Sequence, residues 1–380
     1  MAQMRLRIER LIPGMQIAQS IVAFTGQVLL EGGMALTPEY IKDLTKWGVS
    51  SVDVVIPRRS DNLRRYFSPL YQETIELIAE AFERVRIFEE VPIAKFKDLA
   101  ENYIELMLDM VGVINNLSRV RAHNEYTFNH SLNVAIICGL IGKWLGYTGQ
   151  NLKDLILTGL LHDIGKAIVP LEILNKPGKL TVDEMDVVKR HPSEGYNLLR
   201  KQNDIRDEIK MGILQHHERQ DGSGYPQGLT KEEICDFASI VSIADIYDAM
   251  TTTRVYRKKM SPFSAAEVIL EEMFDKLDPN ISLTFLTNIR NYLIGSLVLL
   301  STGQEAKVLL FNSEYSVRPT VKLEDDTLID LERNKAVTIV DLIEERNNAS
   351  EIVGMKKILL VDDSSFFRKI LKDLLTAAGH

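Results

Sequence analysis

The apolar positions of this chain change period along its length. Between residues 4 and 56, short β-branched runs alternate with turn residues at Pro13-Gly14 and Gly32-Gly33, the pattern of a small β-rich module. Within it, Thr37-Pro38 is a helix-opening pair, a capping hydroxyl followed by proline at the first helical position. From about residue 62 to 118 the period lengthens. Tyr103, Met107, Met110, Ile114 and Leu117 recur at spacings of three and four, an apolar stripe that a helix buries against its own domain or against a second copy of the chain. Residues 121–290 continue helical, broken by the turn-rich stretches NKPGKLT (175–181) and RQDGSGYPQGLT (219–230). Period two returns over 292–345, where GSLVLLSTGQEAKVLLFN, RPTVKL and KAVTIVDLI predict short strands closing into a small barrel.

The expected organisation is multidomain and mainly all-α, flanked by small β-rich modules. Its boundaries are a β-rich module at 1–60, a helical connector at 61–120, an all-α domain at 121–290, a β-barrel-like extension at 291–346 and a polar linker at 347–354. The segment 355–380, MKKILLVDDSSFFRKILKDLLTAAGH, reads as one buried strand ending in Asp362-Asp363 and one amphipathic helix. One strand and one helix cannot bury a core, so this piece is expected to begin something longer.

Composition narrows the ligand and the compartment. At 380 residues with 45% hydrophobic content, the chain can fill two to four cores. A net charge of -8 spread over both signs leaves no basic stripe for DNA or RNA, so any phosphate must be caught locally. Cys138 and Cys235 sit in apolar helical stretches, which argues for free thiols and a reducing cytoplasm. The longest candidate membrane run, YLIGSLVLL at 292–300, falls far short of the roughly 20 residues a spanning helix needs. No membrane partner is expected.

The chemistry lies in the polar breaks of the helical domain. LTGLLHDIGKAIVP (157–170) places His162, Asp163 and Lys166 inside an apolar run, and buried charge needs a compensating partner. His130, His191, His216, His217 and Asp245 interrupt other apolar helices in the same way. One shared site explains them together. Imidazole and carboxylate without thiolate suit a pair of iron or manganese ions, and a carboxylate such as Asp163 can bridge two ions about 3.5–4 Å apart. Such a pair activates water against a phosphoester. Lys166, one turn beyond the His-Asp pair, is placed to meet a nonbridging phosphate oxygen.

These stretches, His130, LLHDIGK, KRHPSEGY, LQHHERQDGSGYP and VSIADIYDAM, resemble the HD-GYP family, the HD-domain phosphohydrolases that degrade cyclic di-GMP. The resemblance implies a mainly all-α HD-type domain with His130, His162, Asp163, His191, His216, His217 and Asp245 as metal ligands. It implies two divalent ions, iron first and manganese next, with Asp163 and Lys166 in catalysis. Lys166, Arg254, Arg257 and the Gly224-Tyr225-Pro226 loop would bind substrate, with Glu218 and Asp221 ordering the loop. A metal-bridging hydroxide would open cyclic di-GMP to linear pGpG, with onward conversion to GMP left open. Family members with three metals carry a glutamate four residues before the first histidine. Here that position is Tyr126, with Glu125 one place off, so two metals are expected.

The segment 355–380 resembles the first strand and helix of a response-regulator receiver domain, and 1–60 and 291–346 resemble modules that flank HD-GYP domains. Two other readings use the same residues: a sensor that holds metal and nucleotide without turnover, and a hydrolase for another phosphoester. A second copy of the chain and signalling proteins docking on the GYP loop are the macromolecular partners left open.

Overall fold

The computed structural model describes residues 2–23, 26–56, 64–108, 110, 113–114, 117, 126–252, 259–313 and 315–343. Contacts divide the chain into residues 1–342 and 343–380. The segment 355–380, the linker 347–354, Arg254, Arg257 and Glu125 lie outside the described residues.

At the N-terminus, β1 (Ala2–Arg7) pairs antiparallel with β5 (Ser51–Ile56), and β2 (Gln16–Ile17) pairs with the same strand. Alternation sets the faces. Met4, Leu6, Val52 and Val54 are buried, while Arg5 faces its cross-strand neighbour Asp53 through hydrogen bonds of 3.0 and 2.8 Å. β3 (Ile21–Val22) and β4 (Val28–Leu30) form a separate hairpin. The helix expected at Thr37-Pro38 is α1 (Pro38–Lys46), and the Thr37 hydroxyl accepts from Tyr40 N at 3.2 Å.

A long helix, α2 (Arg64–Phe88), leads into α3 (Ile93–Asp98), a π-helical stretch (Leu99–Ile104) and α4 (Glu105–Leu108). Tyr103, Met107, Met110 and Ile114 of the apolar stripe are buried, with Leu117 packed beside them. Their cover comes from this chain itself, chiefly from α5 (Tyr126–Trp144). α5 is apolar on nearly every side, the pattern of a fully enclosed helix. Against it pack α6 (Gly149–Leu161), α11 (Asp236–Thr251) and α13 (Pro279–Leu293), with α7 (Leu171–Leu174), α8 (Val182–Val188), α9 (His191–Leu199), α10 (Asp207–Gln215) and α12 (Pro262–Glu272) among the other helices of this region. Both cysteines are free. No helix among the described residues is long and apolar enough to cross a membrane.

The C-terminal strands β6 (Leu297–Leu300), β7 (Glu305–Leu310), β8 (Thr320–Leu323), β9 (Leu328–Asp330) and β10 (Ile339–Ile343) correct the expected barrel. They form an open sheet in the order β10-β6-β7-β8-β9, with no β9–β10 ladder among the described residues. The physical reason is where the apolar face goes. Val298, Leu300, Val308 and Val321 are buried in one hydrophobic cluster that also holds the helical core. Arg290 of α13 donates to Ser313 O and Ser316 O at 2.9 Å, and Arg318 pairs with Glu267 of α12 at 2.7 Å, fastening sheet to helices.

Candidate metal centre

Helix ends bring the polar residues together. His130 projects from α5, His162 caps the C-terminus of α6 with Asp163 next, and Lys166 follows in the turn Ile164–Ile168. His191 opens α9, His216 caps α10 ahead of His217, and Asp245 lies within α11. Gly165 makes the convergence sterically feasible. A Cβ there would sit 2.0 Å from His191 O and 2.6 Å from Gly195 N, so only glycine lets this turn touch α9.

Hydrogen bonding settles which nitrogen each imidazole offers. Nδ1 of His162, His191 and His216 lies 2.8, 2.8 and 2.7 Å from the carbonyl oxygen three residues upstream, on Gly159, Val188 and Ile213. A carbonyl only accepts, so each Nδ1 carries the proton and each Nε2 presents a lone pair. Yet Nε2 of His191 and Nε2 of His216 are 3.2 Å apart. Protonation of His216 does not resolve the clash, because burial, reinforced by His217, His162 and His191, pushes it well below the usual histidine range. His162 Nε2 and Asp163 Oδ1 are also buried without a hydrogen-bond partner. Converging buried lone pairs are costly unless a cation lies between them.

The carboxylates point the same way. Asp163 Oδ2 lies 2.5 Å from Lys166 Nζ, 3.4 Å from His162 Nε2 and 3.8 Å from His130 Nε2. Its Oδ1 is 3.1 Å from His191 Nε2, in contact but not aligned as a hydrogen bond. Burial would raise the Asp163 pKa, but His162 and Lys166 hold it well below the usual carboxylate range. Asp245 is held low in the same way by His130. His130 sits 3.1 Å from Asp245 and 2.7 Å from Asp248, and these partners overcome burial to raise its pKa to about 9. Burial lowers His217 to about 3. Among the described residues the pocket thus sets Asp163, Asp245 and Asp248 against the Lys166 ammonium and a protonated His130, a net negative balance that favours added positive charge.

The donor atoms form three clusters, each within 4.8 Å: His191 with His216 and His217, His130 with His162 and Asp245, and Asp163 with His162 and His216. All seven sequence-derived ligand candidates meet here. Residues 108–281 match the HD domain family model.

Proteins similar to this chain include "Cyclic di-GMP phosphodiesterase PA4108" of Pseudomonas aeruginosa, 34% identical over 248 residues, 65% of this chain and 59% of that protein. "3'3'-cGAMP-specific phosphodiesterase 1" of Vibrio cholerae is 37% identical over 199 residues, 50% of this chain and 43% of that protein. The chain thus spans between 43% and 59% of the length of these two relatives. The structure of Bd1817, a HDG"Y"P protein from Bdellovibrio bacteriovorus, is similar with a TM-score of 0.50 at 18% identity, covering 76% of this chain and 99% of that one. That likeness concerns the fold.

The loop carrying Gly224, Tyr225 and Pro226 borders the cluster of donor atoms. The Glu218 carboxylate accepts from Gln227 N at 2.7 Å and Leu229 N at 2.9 Å, and Asp221 accepts from Ser223 N at 3.0 Å. A Cβ at Gly224 would lie 2.4 Å from Arg219 N and 2.5 Å from Glu218 Cα, so the loop closes only on glycine. Tyr225 stacks on His217 with ring centres 4.7 Å apart, and Lys189 Nζ lies 5.6 Å above its ring. Loss of the stack in Tyr225→Ala is expected to weaken ion binding at the His217 cluster by up to about tenfold, with Tyr225→Phe close to wild type, in a manganese titration.

Three residues at the site were not among the sequence candidates. Asp248, Asn133 and Tyr71 form a buried hydrogen-bonded chain behind His130. Asp248 follows Asp245 by one helical turn, so the 3.6-residue period could have found it. Tyr71 has no such signal.

Proposed function

We propose that this protein is an HD-GYP-type, metal-dependent phosphodiesterase of the cytoplasm that opens cyclic di-GMP to linear pGpG. The observation that carries the reading is the facing pair of Nε2 lone pairs on His191 and His216 beside the unpartnered His162 Nε2 and Asp163 Oδ1. Such a donor set fits two divalent ions. His191, His216 and His217 would hold one, His130, His162 and Asp245 the other, with Asp163 between them. Iron is the first choice and manganese the second.

Bound ions of this kind supply a water acidified toward neutral pH and positive charge for the phosphate. The chain's own residues do the rest. Lys166, with 23% of its side chain exposed, is the cation able to swing toward a nonbridging phosphate oxygen while still bordering Asp163. Arg254 and Arg257 would add charge for the second phosphate, and Tyr225 would flank the nucleotide. The relatives' names support the reaction class and divide between two cyclic dinucleotides.

Cyclic di-GMP incubated with anaerobically purified protein is expected to yield pGpG by chromatography, and chelator is expected to stop the reaction. Nucleotide bound intact, without product, would overturn the enzyme reading in favour of a sensor. Metal should also stabilise the fold. At a hundred times Kd, one site contributes about 2.7 kcal/mol, so chelation is expected to lower the melting temperature in a thermal scan.

A further inference from the structure

α2 lies outside the segment matching the HD domain, yet one of its side chains enters the hydrogen bonding of the ligand cluster. Tyr71 is 1% exposed, and its hydroxyl donates to Asn133 Oδ1 at 2.6 Å. Asn133 Nδ2 donates to Asp248 Oδ1 at 2.7 Å, Thr252 donates to the same oxygen at 3.0 Å, and Asp248 Oδ2 is 2.7 Å from His130 Nδ1. The amide direction is forced. Turned round, Asn133 would set its own oxygen against the Asp248 carboxylate, acceptor facing acceptor.

His130 differs here from its neighbours. His162, His191 and His216 rest Nδ1 on backbone carbonyls that the helix itself fixes. His130 rests on a rotatable carboxylate, which must be held by something else. On its other face α2 is clamped to the N-terminal segment, where Glu73, Glu76 and Glu80 meet Arg7 and Glu76 meets Arg10. The tyrosine is therefore presented by a helix anchored on both sides.

We propose that Tyr71 is a positioning residue for His130, acting through Asn133 and Asp248, so that a helix preceding the HD domain completes its metal centre. The inference rests on the metal-centre reading above. Its test uses the full chain, stripped of metal and titrated with manganese, with stoichiometry and Kd as readouts.

Tyr71→Phe keeps the ring and its stacking on Phe67, whose centre is 5.7 Å away. It is expected to weaken one of two manganese ions by roughly tenfold, the scale for partners behind a metal ligand. Asp248→Asn is expected to weaken the same ion, and adding Tyr71→Phe to it should change Kd no further. Tyr103→Phe, whose hydroxyl contacts Arg5 O at 3.4 Å, is the control with wild-type affinity. If Tyr71→Phe does not fold, Asn133→Ser cuts the same chain at its next link and is titrated instead. Wild-type affinity in the folded variant, or an effect fully additive with Asp248→Asn, overturns the positioning role. A wild-type protein that binds no manganese overturns the metal centre itself, a different and distinguishable result.

Discussion

Asp163→Asn is expected to lose the proposed cyclic di-GMP hydrolysis by at least about a thousandfold, because it removes the charge shared between the two clusters on which the proposed acidification of water depends. The side chain is 1% exposed, and its Oδ2 lies within 3.8 Å of Lys166, His162 and His130 at once. An asparagine fills the same volume. It cannot offset Lys166 and an ion together, because an amide carries no charge and its nitrogen offers no lone pair to a cation. The variant should retain at most one ion in elemental analysis. Turnover within tenfold of wild type would show that Asp163 does not join the clusters functionally.

Gly165→Ala carries the largest expected effect on the fold. The added methyl would lie 2.0 Å from His191 O and 2.6 Å from Gly195 N, and both are backbone atoms that cannot rotate away. Overpacking against backbone costs about 3 kcal/mol or more. A melting temperature lower by roughly 10 °C is the expected readout. Relief of the clash must push α9 outward, and with it His191, so ion binding should weaken as well. An alanine variant with unchanged melting temperature and unchanged metal content would contradict the packing described for this turn.

Much of this architecture was legible in the residues, and the exceptions have physical causes. Local chemistry reads well. Thr37 caps α1 as its hydroxyl promised, and the stripe through Met107 and Ile114 is buried. The convergence of these His and Asp side chains was legible because, buried in apolar helices, they violate the rule that charge stays in water. Closure of the C-terminal strands was not, since period two specifies which side chains share a face but not what that face packs against. The chain behind His130 was hidden for a related reason. Tyr71 and Asn133 are 62 residues apart, and an enclosed tyrosine on the apolar face of an amphipathic helix looks like any other core aromatic until its hydroxyl is seen to have a partner. Glycines tell a similar story. Gly165 and Gly224 stand in recognisable motifs, but the backbone contacts that demand them come from other elements.

The central claim is that the convergent lone pairs of His162, His191 and His216, with Asp163, exist to hold cations. Elemental analysis of the wild-type protein, purified without oxygen and without added metal, tests it most directly. Two transition-metal ions per chain are expected, with iron predominant and manganese as its substitute. Folded protein that carries no metal above background, and takes up none when iron or manganese is supplied, would contradict the account.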